Sequence, residues 1–539
     1  MDSFDYENAH RWFRWNTPAQ FNFGTDVVDQ WAQERPDHIA LIWCNEAGKE
    51  RRYTFREVSL LSNRLANALR RRGIRKGDRV LVMLPRVPEW QFAMVALAKL
   101  GAVPVPSVTM LTPKDIAYRV ENGGIVGVVT MIEEVRKFDD LPAFRCKLSV
   151  GGMGPGWENL DTAMMTEPTA FSPETVDAED PAVLYYTSGS TGMPKGVVQS
   201  ARGLHSWRVS AQYWLTLTPE DVMFCTADTG WSKAGTSILY GPWSQGSTVL
   251  FYDGRFEPEA RIALLEKYRV SVFCAAATEF RRLITIDLKG RDLSALRLTV
   301  SAGESVNPEI VARWQEITGQ RVFEAYGQTE ILMLVCNYPG TPIKLGSTGR
   351  PLPGTHAAVL DENMQPAPDG QTGQLAIRLP NPQLMLGYWK DPEKTAATQV
   401  VVDGVTWYLT GDNVSRDAEG YIFYDGRSDD VIKASGYRIG PQEVENALME
   451  HPAVQEAAAV ASPDADRGEV VKAFIVLHKT HTASDELVRD IQDHVKRVTA
   501  PYKYPRRIEF VGDLPKNVVG KIDRRFLRNR ERAAHAGKD

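Results

Sequence analysis

The chain has few cysteines, no long apolar run and no excess of positive charge, and each shortage excludes a class of protein. Its five cysteines lie far apart without metal-ligand spacing, which indicates reduced thiols in a cytoplasmic protein. No apolar run reaches the roughly 18 residues that a membrane span needs. The first residues, MDSFDYENAHRWFRW, carry acids and aromatics where a signal peptide would have a basic start. A net charge of −5 leads us to expect neither nucleic acid nor a membrane as a partner.

The length and the pattern of apolar segments predict two domains. A chain of 539 residues is too long for one ordinary domain. Short apolar runs alternate with amphipathic segments over residues 25–180 and again over 200–300, which favours two doubly wound α/β subdomains. Residues 340–425 are rich in turn signals and predict a small β-rich subdomain. We therefore predict an α/β fold, with an N-terminal domain over residues 1–428 and a smaller α+β C-terminal domain over residues 429–539.

The most informative stretch runs from Tyr185 to Gly196 and reads YYTSGSTGMPKG. It directly follows the apolar run Ala182-Val183-Leu184. A strand that leads into a loop of glycines and hydroxyls suits phosphate, because backbone N–H groups, hydroxyls and a lysine can all face the anion. The common P-loop needs glycine before its lysine, whereas Pro194 precedes Lys195 here. The alternative is a flexible Ser/Gly surface turn.

This loop resembles the phosphate loop of the adenylate-forming superfamily, which includes acyl-CoA synthetases, luciferases and the adenylation domains of peptide synthetases. Further elements of that superfamily follow in order, and Ala302 stands where its members more often have glycine. They are Ser301–Glu304, Glu324–Glu330, Thr410–Asp412, Arg427 and Pro515–Lys521. Each element alone would be an ordinary turn, core residue or surface charge, but their joint order identifies the chain as a member.

The resemblance implies a site for ATP with Mg²⁺. In it, Tyr326 stacks on adenine, Asp412 takes the ribose hydroxyls, Thr329 faces the α-phosphate, and Glu330 with Thr191 holds the metal. The implied catalytic residues are Lys521, Thr329 and Glu330. The implied ATP-binding residues are Thr187, Ser188, Gly189, Ser190, Thr191, Gly192, Lys195, Gly303, Glu304, Glu324, Ala325, Tyr326, Gly327, Gln328, Thr329, Asp412, Arg427 and Arg438.

The chemistry of thioester formation explains this set. A thiol does not displace oxide from a carboxylate at useful rates. Attack of the carboxylate on the α-phosphorus of ATP gives an acyl-adenylate and pyrophosphate, and so creates a good leaving group. Because negative charge concentrates there in the transition state, cations are needed, and Lys521, Lys195 and Mg²⁺ are the candidates.

The C-terminal third resembles medium-chain acyl-CoA synthetases in residues 435–454, 462–477 and 494–511. The resemblance implies coenzyme A as second substrate, a hinge at Asp429 and a mobile C-terminal domain with two orientations. A second cation bound by backbone carbonyls is implied at Met449, His451 and Val454. The implied CoA-binding residues are Ser435, Gly436, Tyr437, Arg467 and Lys496.

The expected acyl pocket involves Trp231, Gly235, Gly327 and Ile331. Acetyl-CoA synthetases carry tryptophan at the position of Gly327, so glycine is expected to leave the pocket open to larger acids. Ile331 stands where most relatives have glycine and is expected to reshape the wall. The predicted function is AMP-forming acyl-CoA synthesis from a medium-chain, branched or aromatic acid. The alternatives are a stand-alone enzyme that loads a carrier protein and a non-catalytic nucleotide-binding regulator.

Overall fold

The computed structural model describes residues 4–187, 193–304, 306–427, 430, 432–434, 437–464, 468–499, 503–516 and 521–535. For Lys433, Tyr437, Arg438 and Gly468 it describes the backbone alone. Among the described residues, no helix is both long and apolar enough to cross a membrane.

The helices follow the chain in the order α1 (Tyr6–Trp12), α2 (Gln30–Glu34), α3 (Phe55–Arg71), α4 (Pro88–Lys99), α5 (Pro113–Gly123), α6 (Leu160–Met165), α7 (Ala201–Tyr213), α8 (Ser232–Ser237), α9 (Tyr240–Ser244), α10 (Pro258–Lys267), α11 (Ala277–Leu283), α12 (Pro308–Thr318), α13 (Pro392–Ala396), α14 (Pro441–Met449), α15 (Asp485–Val498) and α16 (Arg524–His535). A π-helical turn, Gly24–Asp29, precedes α2, and a 3₁₀ helix, Ile132–Phe138, follows the fifth strand.

The strands are β1 (Ile39–Asn45), β2 (Glu50–Thr54), β3 (Arg79–Met83), β4 (Val103–Pro106), β5 (Ile125–Met131), β6 (Cys146–Val150), β7 (Glu158–Asn159), β8 (Pro181–Thr187), β9 (Lys195–Ser200), β10 (Val222–Cys225), β11 (Thr248–Asp253), β12 (Val272–Cys274), β13 (Leu298–Ala302), β14 (Val322–Gln328), β15 (Leu332–Cys336), β16 (Ser347–Pro351), β17 (Ala357–Leu360), β18 (Gly373–Arg378), β19 (Gly387–Tyr388), β20 (Gln399–Val402), β21 (Val405–Arg416), β22 (Ile422–Arg427), β23 (Ile432–Ala434), β24 (Tyr437–Ile439), β25 (Val454–Asp464), β26 (Gly468–Leu477) and β27 (Arg507–Phe510).

Local sequence signals set several of these boundaries. The sequence Thr54-Phe-Arg-Glu57 has the pattern of a capping box, and the structure forms it: the Thr54 hydroxyl accepts the Glu57 amide at 3.2 Å, and the Glu57 carboxylate accepts the Thr54 amide at 2.8 Å. Proline occupies a first-turn position of α4 and α14, where its missing N–H costs nothing. These helices therefore begin where the sequence predicts.

The predicted α/β fold class is confirmed, with a redistribution of strands between the subdomains. Strands β3 to β7 form a parallel sheet in the order β4-β3-β5-β6-β7. Strand β1 instead pairs in parallel with β11, with Leu41 opposite Val249. Because β1 is buried along most of its length, both of its faces need cover: Leu41 and Trp43 pack into one core cluster, and Ile42 and Cys44 pack into another. The first doubly wound subdomain thus begins later in the chain than expected.

The small β-rich subdomain is continuous with the large sheet. Strand β15 pairs with β14 on one side and β16 on the other, and β16 pairs with β22. The C-terminal α+β unit has its own sheet, in the order β24-β23-β26-β25 with β27 beside β26. Because Ser428 and Asp429 lie outside the described residues, the domain boundary between them stays a prediction.

Candidate active site

The predicted phosphate loop connects two antiparallel strands. Thr187 at the end of β8 is opposite Lys195 at the start of β9, so these two residues flank the loop that connects the strands. Ser188, Gly189, Ser190, Thr191 and Gly192 lie outside the described residues. The Lys195 ammonium is 5.1 Å from the ring centre of Tyr388, which belongs to β19, the strand on the other side of β9.

Tyr388 connects Lys195 with the residues predicted to face the α-phosphate and the metal. Its hydroxyl donates to Glu330 Oε1 at 2.9 Å. Burial and the charge of Glu330 raise the pKa of Tyr388, so the phenol remains a donor. Thr329 is held from the other side, because Gln199 Nε2 donates to its carbonyl at 2.7 Å and its hydroxyl is 2.9 Å from Ser232 Oγ. Lys195, Thr329 and Glu330 therefore form one group.

A second group centres on Asp412, the predicted ribose ligand. Its Oδ2 accepts hydrogen bonds from the Tyr326 hydroxyl and from Gln328 Nε2, both at 2.5 Å. Arg427 lies 3.4 Å from Oδ1, and the Tyr424 hydroxyl donates to the same atom at 3.4 Å. Burial raises the pKa of Asp412, while Arg427, Tyr326 and Gln328 oppose that shift. Donors from two strands, β14 and β22, thus orient this carboxylate.

The turn after β13 is contacted by lysines from both domains. Lys233 Nζ donates to the Ala302 carbonyl at 3.0 Å, and Lys521 Nζ donates to the carbonyl of Gly303. Gly303 has φ +96°, a conformation that favours glycine. Next to it, Glu304 Oε1 accepts the Thr278 amide at 3.2 Å and the Thr278 hydroxyl at 3.3 Å. The C-terminal domain therefore delivers Lys521 to this turn.

The environment of the Lys521 ammonium is electrostatically mixed. Loss of hydration lowers its pKa, and the charge of Lys233 acts in the same direction, whereas Glu304 and Asp412 raise it. The residue as a whole is exposed, so it is the contact of its tip with the Gly303 carbonyl that ties it to the cleft. A cation held beside two carboxylates is suited to stabilise charge that develops on a phosphate.

Glu324 is buried on β14, and its carboxylate supports the turn after β13. Its Oε1 accepts the Val306 amide at 2.7 Å. Burial raises the pKa of Glu324 to about 7, although the Val306 hydrogen bond lowers it. The neighbouring Ala325 is also buried, and pairs with Cys336 of β15. Glu324 and Ala325 therefore shape the wall of the cleft, Glu324 by binding the Val306 amide and Ala325 by backbone pairing with β15.

The raised pKa of Glu324 predicts a pH-dependent stability. Because the folded pKa of about 7 exceeds the ordinary value of 4.5, the folded state binds more protons between these values. The free energy of unfolding contributed by this group therefore falls as pH rises from 4.5 to 7, by about 1.4 kcal/mol per unit of pKa difference. Glu324→Gln should remove this dependence, so the difference in midpoint denaturant concentration between variant and wild type should grow from pH 5 to pH 8. A pH-independent difference would contradict it.

The structure changes the interpretation of three predicted pocket residues. A Cβ on Gly327 would lie 2.1 Å from the Leu332 carbonyl oxygen, so glycine is required there by the close approach of β15. A Cβ on Gly235 would lie 2.9 Å from the Trp207 ring. Ile331 is fully buried in a core cluster with residues of the small β-rich subdomain. Backbone pairing and core packing thus constrain Gly327 and Ile331, and the assignment of both residues to the acyl pocket stays a prediction.

Trp231 is the remaining predicted pocket residue, and its position is compatible with that role. It is half-buried at the start of α8, beside Ser232. The Ser232 hydroxyl contacts the hydroxyl of Thr329, the predicted α-phosphate contact. Trp231 is therefore the sequence neighbour of a residue that contacts Thr329. Trp231 also packs against the core cluster that contains Leu184 and Tyr186 of β8, so it connects the phosphate hairpin with α8.

The structure describes few of the predicted CoA and hinge residues. Asp429, Ser435, Gly436 and Arg467 lie outside the described residues, and for Tyr437 and Arg438 only the backbone on β24 is described. Lys496 donates to Asp493 at 2.8 Å and lies 4.4 Å from the ring centre of Tyr504. These assignments stay predictions.

The predicted second cation site lies at the end of α14. There the His451 carbonyl accepts the Val454 amide at 2.9 Å. The His451 ring accepts the Ala453 amide through Nδ1 at 3.2 Å and contacts Asp490 through Nε2 at 3.1 Å. The imidazole therefore caps the connection to β25, and a cation at the carbonyls of Met449, His451 and Val454 stays a prediction.

Sequence reasoning missed several side chains that organise the cleft. Gln199, Tyr388 and Tyr424 contact predicted site residues, yet each lies far from them in sequence. Tyr388 belongs to a strand of two residues, which is too short to give a periodic signal. Ser232 and Lys233 lie between Trp231 and Gly235 of the expected acyl pocket, which indicated the region without indicating their contacts.

Comparisons with known proteins agree with this geometry. The family model for AMP-binding enzymes matches residues 28–389, and the model for the AMP-binding enzyme C-terminal domain matches residues 443–521. The first match alone covers more than half of the chain. The chain therefore belongs to the AMP-binding enzyme family.

Individual relatives indicate the class within the family. The chain is 41% identical to mouse acyl-coenzyme A synthetase ACSM3, mitochondrial, over 98% of this chain and 93% of the relative. It is 41% identical to the uncharacterized acyl-CoA ligase YtcI of Bacillus subtilis, over 97% and 98%. The crystal structure of the anthranilate CoA ligase AuaEII with anthranoyl-AMP matches with a TM-score of 0.88 and 31% identity, over 96% of this chain and 99% of that one. The chain is accordingly an acid–thiol ligase of the acyl-CoA synthetase class.

Proposed function

We propose that this enzyme converts a medium-chain, branched or aromatic carboxylic acid to its CoA thioester, through an acyl-adenylate and with release of pyrophosphate. The observation that carries the adenylation step is the contact of Lys521 with the Gly303 carbonyl. It brings a cation from the C-terminal domain into the cleft that holds Glu304 and Asp412. The likeness to an anthranilate ligase supports an aromatic acid among the candidates.

In the proposed adenylation step, ATP lies across the two groups of residues described above. Tyr326 and Asp412 orient the nucleoside, and Lys195 with the hairpin loop binds the departing phosphates. The carboxylate of the acid attacks the α-phosphorus, and the oxygen that bridges to the β-phosphate leaves with pyrophosphate. Lys521 then lies where negative charge develops in the transition state.

Glu330 and Thr191 are the residues that would hold Mg²⁺ with ATP. The half-buried carboxylate of Glu330 and a threonine hydroxyl supply oxygen ligands, which this ion prefers while it keeps several waters; Thr191 itself lies outside the described residues. When bound, the ion neutralises charge on the phosphates.

In the second step the CoA thiol attacks the acyl carbonyl and AMP leaves. We keep Ser435, Gly436, Tyr437, Arg467 and Lys496 as the proposed CoA contacts, Asp429 as the proposed hinge, and the cytoplasm as the proposed location.

The function is tested by measuring pyrophosphate release with and without CoA over acids from C2 to C10 and benzoate. We expect CoA-dependent turnover and the acyl-CoA product with acids larger than acetate. Adenylate formation without any transfer to CoA would favour the enzyme that loads a carrier protein. Absence of pyrophosphate release with every acid would favour the non-catalytic nucleotide-binding regulator.

Substrate size is tested at Trp231 rather than at Gly327. Trp231→Ala should raise kcat/KM for the bulkier acids relative to that for propionate, because one methylene in a pocket changes discrimination by about 1–3 kcal/mol. The ratio between acids is the quantity to measure, since general loss of packing lowers all rates together. Trp214→Ala is a matched control, because this fully buried indole belongs to the core and donates to the Phe323 carbonyl. An unchanged profile in Trp231→Ala would contradict the assignment.

A further inference from the structure

An ion pair joins the two domains at a distance from the residues assigned above. Arg281 Nη1 on α11 of the large domain donates to Glu456 Oε1 on β25 of the C-terminal domain at 3.1 Å. The Glu456 side chain is 11% exposed and that of Arg281 is 34% exposed. Because one partner is largely removed from water, this pair is screened less than an ordinary surface pair.

Glu456 also contacts the segment that carries Lys521. Lys516 Nζ is 3.3 Å from the same Oε1 atom. Lys516 forms an isolated β-bridge with Ile522, so the two ends of the segment around Lys521 are tied together. The position of this segment relative to β25 is therefore set in part by the carboxylate of Glu456.

On the large-domain side, α11 is connected to the same turn that Lys521 contacts. Thr278, one turn before Arg281, donates twice to Glu304, and Gly303 accepts from Lys521. The contacts thus connect the two domains in a ring. Glu304 accepts from Thr278 of α11, and Arg281 of the same helix donates to Glu456. Glu456 contacts Lys516, which lies near Lys521 in the chain, and Lys521 donates to the Gly303 carbonyl beside Glu304.

We propose that Glu456 is a positioning residue that holds Lys521 in the cleft for adenylation through Arg281 and Lys516. This inference rests on the proposed function. A C-terminal domain that rotates for the CoA step has to break the Arg281–Glu456 pair, since the partners lie on different domains. The pair therefore stabilises the domain orientation for adenylation relative to the orientation for the CoA step, and the strength of the pair sets the ratio of the two populations.

The test measures the two half-reactions separately in Glu456→Gln and Arg281→Gln. We expect acid-dependent exchange of pyrophosphate into ATP without CoA to fall roughly 5- to 30-fold, the factor for one or two kcal/mol. Thioester formation from added acyl-adenylate and CoA should be unchanged or faster. Arg282→Gln is the matched control, because this neighbouring arginine packs over Phe256 of the large domain; both half-reactions should stay at wild-type rates.

Further variants separate positioning from general damage. If Glu456→Gln does not fold, Arg281→Gln and Lys516→Gln still test the two sides of the contact. Equal losses in both half-reactions, or no change in either, would overturn the inference. A wild-type enzyme without acid-dependent exchange would instead refute the proposed function.

Discussion

Lys521→Ala is expected to slow acyl-adenylate formation by roughly 100-fold or more while it spares thioester formation from added acyl-adenylate. The reason is that Lys521 reaches the Gly303 carbonyl from the C-terminal domain and brings a charge to the developing negative phosphate. Loss of one such electrostatic contact typically costs about 3 kcal/mol, which corresponds to roughly 100-fold or more in rate. Pyrophosphate exchange and single-turnover thioester formation measure the two steps.

Two variants accompany this test. Lys521→Arg keeps the charge but changes its shape and donor geometry, so it should recover part of the exchange activity. Arg532→Ala removes an exposed cation from α16 of the same domain and should leave both steps unchanged. Equal loss in both half-reactions of Lys521→Ala would show that the lysine supports the fold or the CoA site instead.

The second large effect is expected at Asp412. Asp412→Asn keeps the shape of the side chain but removes the charge that faces Arg427 and replaces one of the two acceptor oxygens by an NH2 donor, whereas in the wild type Tyr326 and Gln328 both donate to Oδ2. Hydrogen bonds to a charged group contribute about 1.5–3 kcal/mol each, so kcat/KM for ATP should fall by about 10- to 150-fold. The main change is expected in KM for ATP, with a smaller change in KM for the acid.

Tyr424→Phe is the matched control for Asp412→Asn. It removes only the 3.4 Å contact to Oδ1, which is long for an O–H donor, so its effect on KM for ATP should be small. Tyr326→Phe removes the 2.5 Å contact and should fall between the two. An Asp412→Asn enzyme with wild-type affinity for ATP would contradict the proposed ribose contact.

Much of the local structure could be predicted because its causes lie within a few residues. The capping box at Thr54 and the side-chain cap of Ser484 at the start of α15 are formed by residues three positions apart. The motifs with glycine, hydroxyl and acid residues also marked the cleft, since their chemistry requires those residue types. By contrast, the distribution of strands between sheets was predicted only in part. The position of β1 beside β11 depends on which sheet can cover both of its faces.

The acyl pocket shows why a residue type alone can mislead. Glycine at position 327 is compatible with an open pocket and also with close approach of a neighbouring strand. The register of β14 and β15, with Gly327 opposite Met333, shows the close approach, which the residue type alone does not. Similarly, isoleucine at position 331 can form a wall or fill a core, and only the tertiary structure shows the core cluster around it.

By itself, the sequence determined the class of fold, the order of the motifs and the acids and lysines available for adenylation, because each depends on residue type and near neighbours. The tertiary structure alone decided the contacts between distant residues, such as Tyr388 with Glu330 and Arg281 with Glu456. These pairs are separated by 58 and 175 positions in the chain. No local pattern records such pairs, because they form only after sheets and domains have packed against each other.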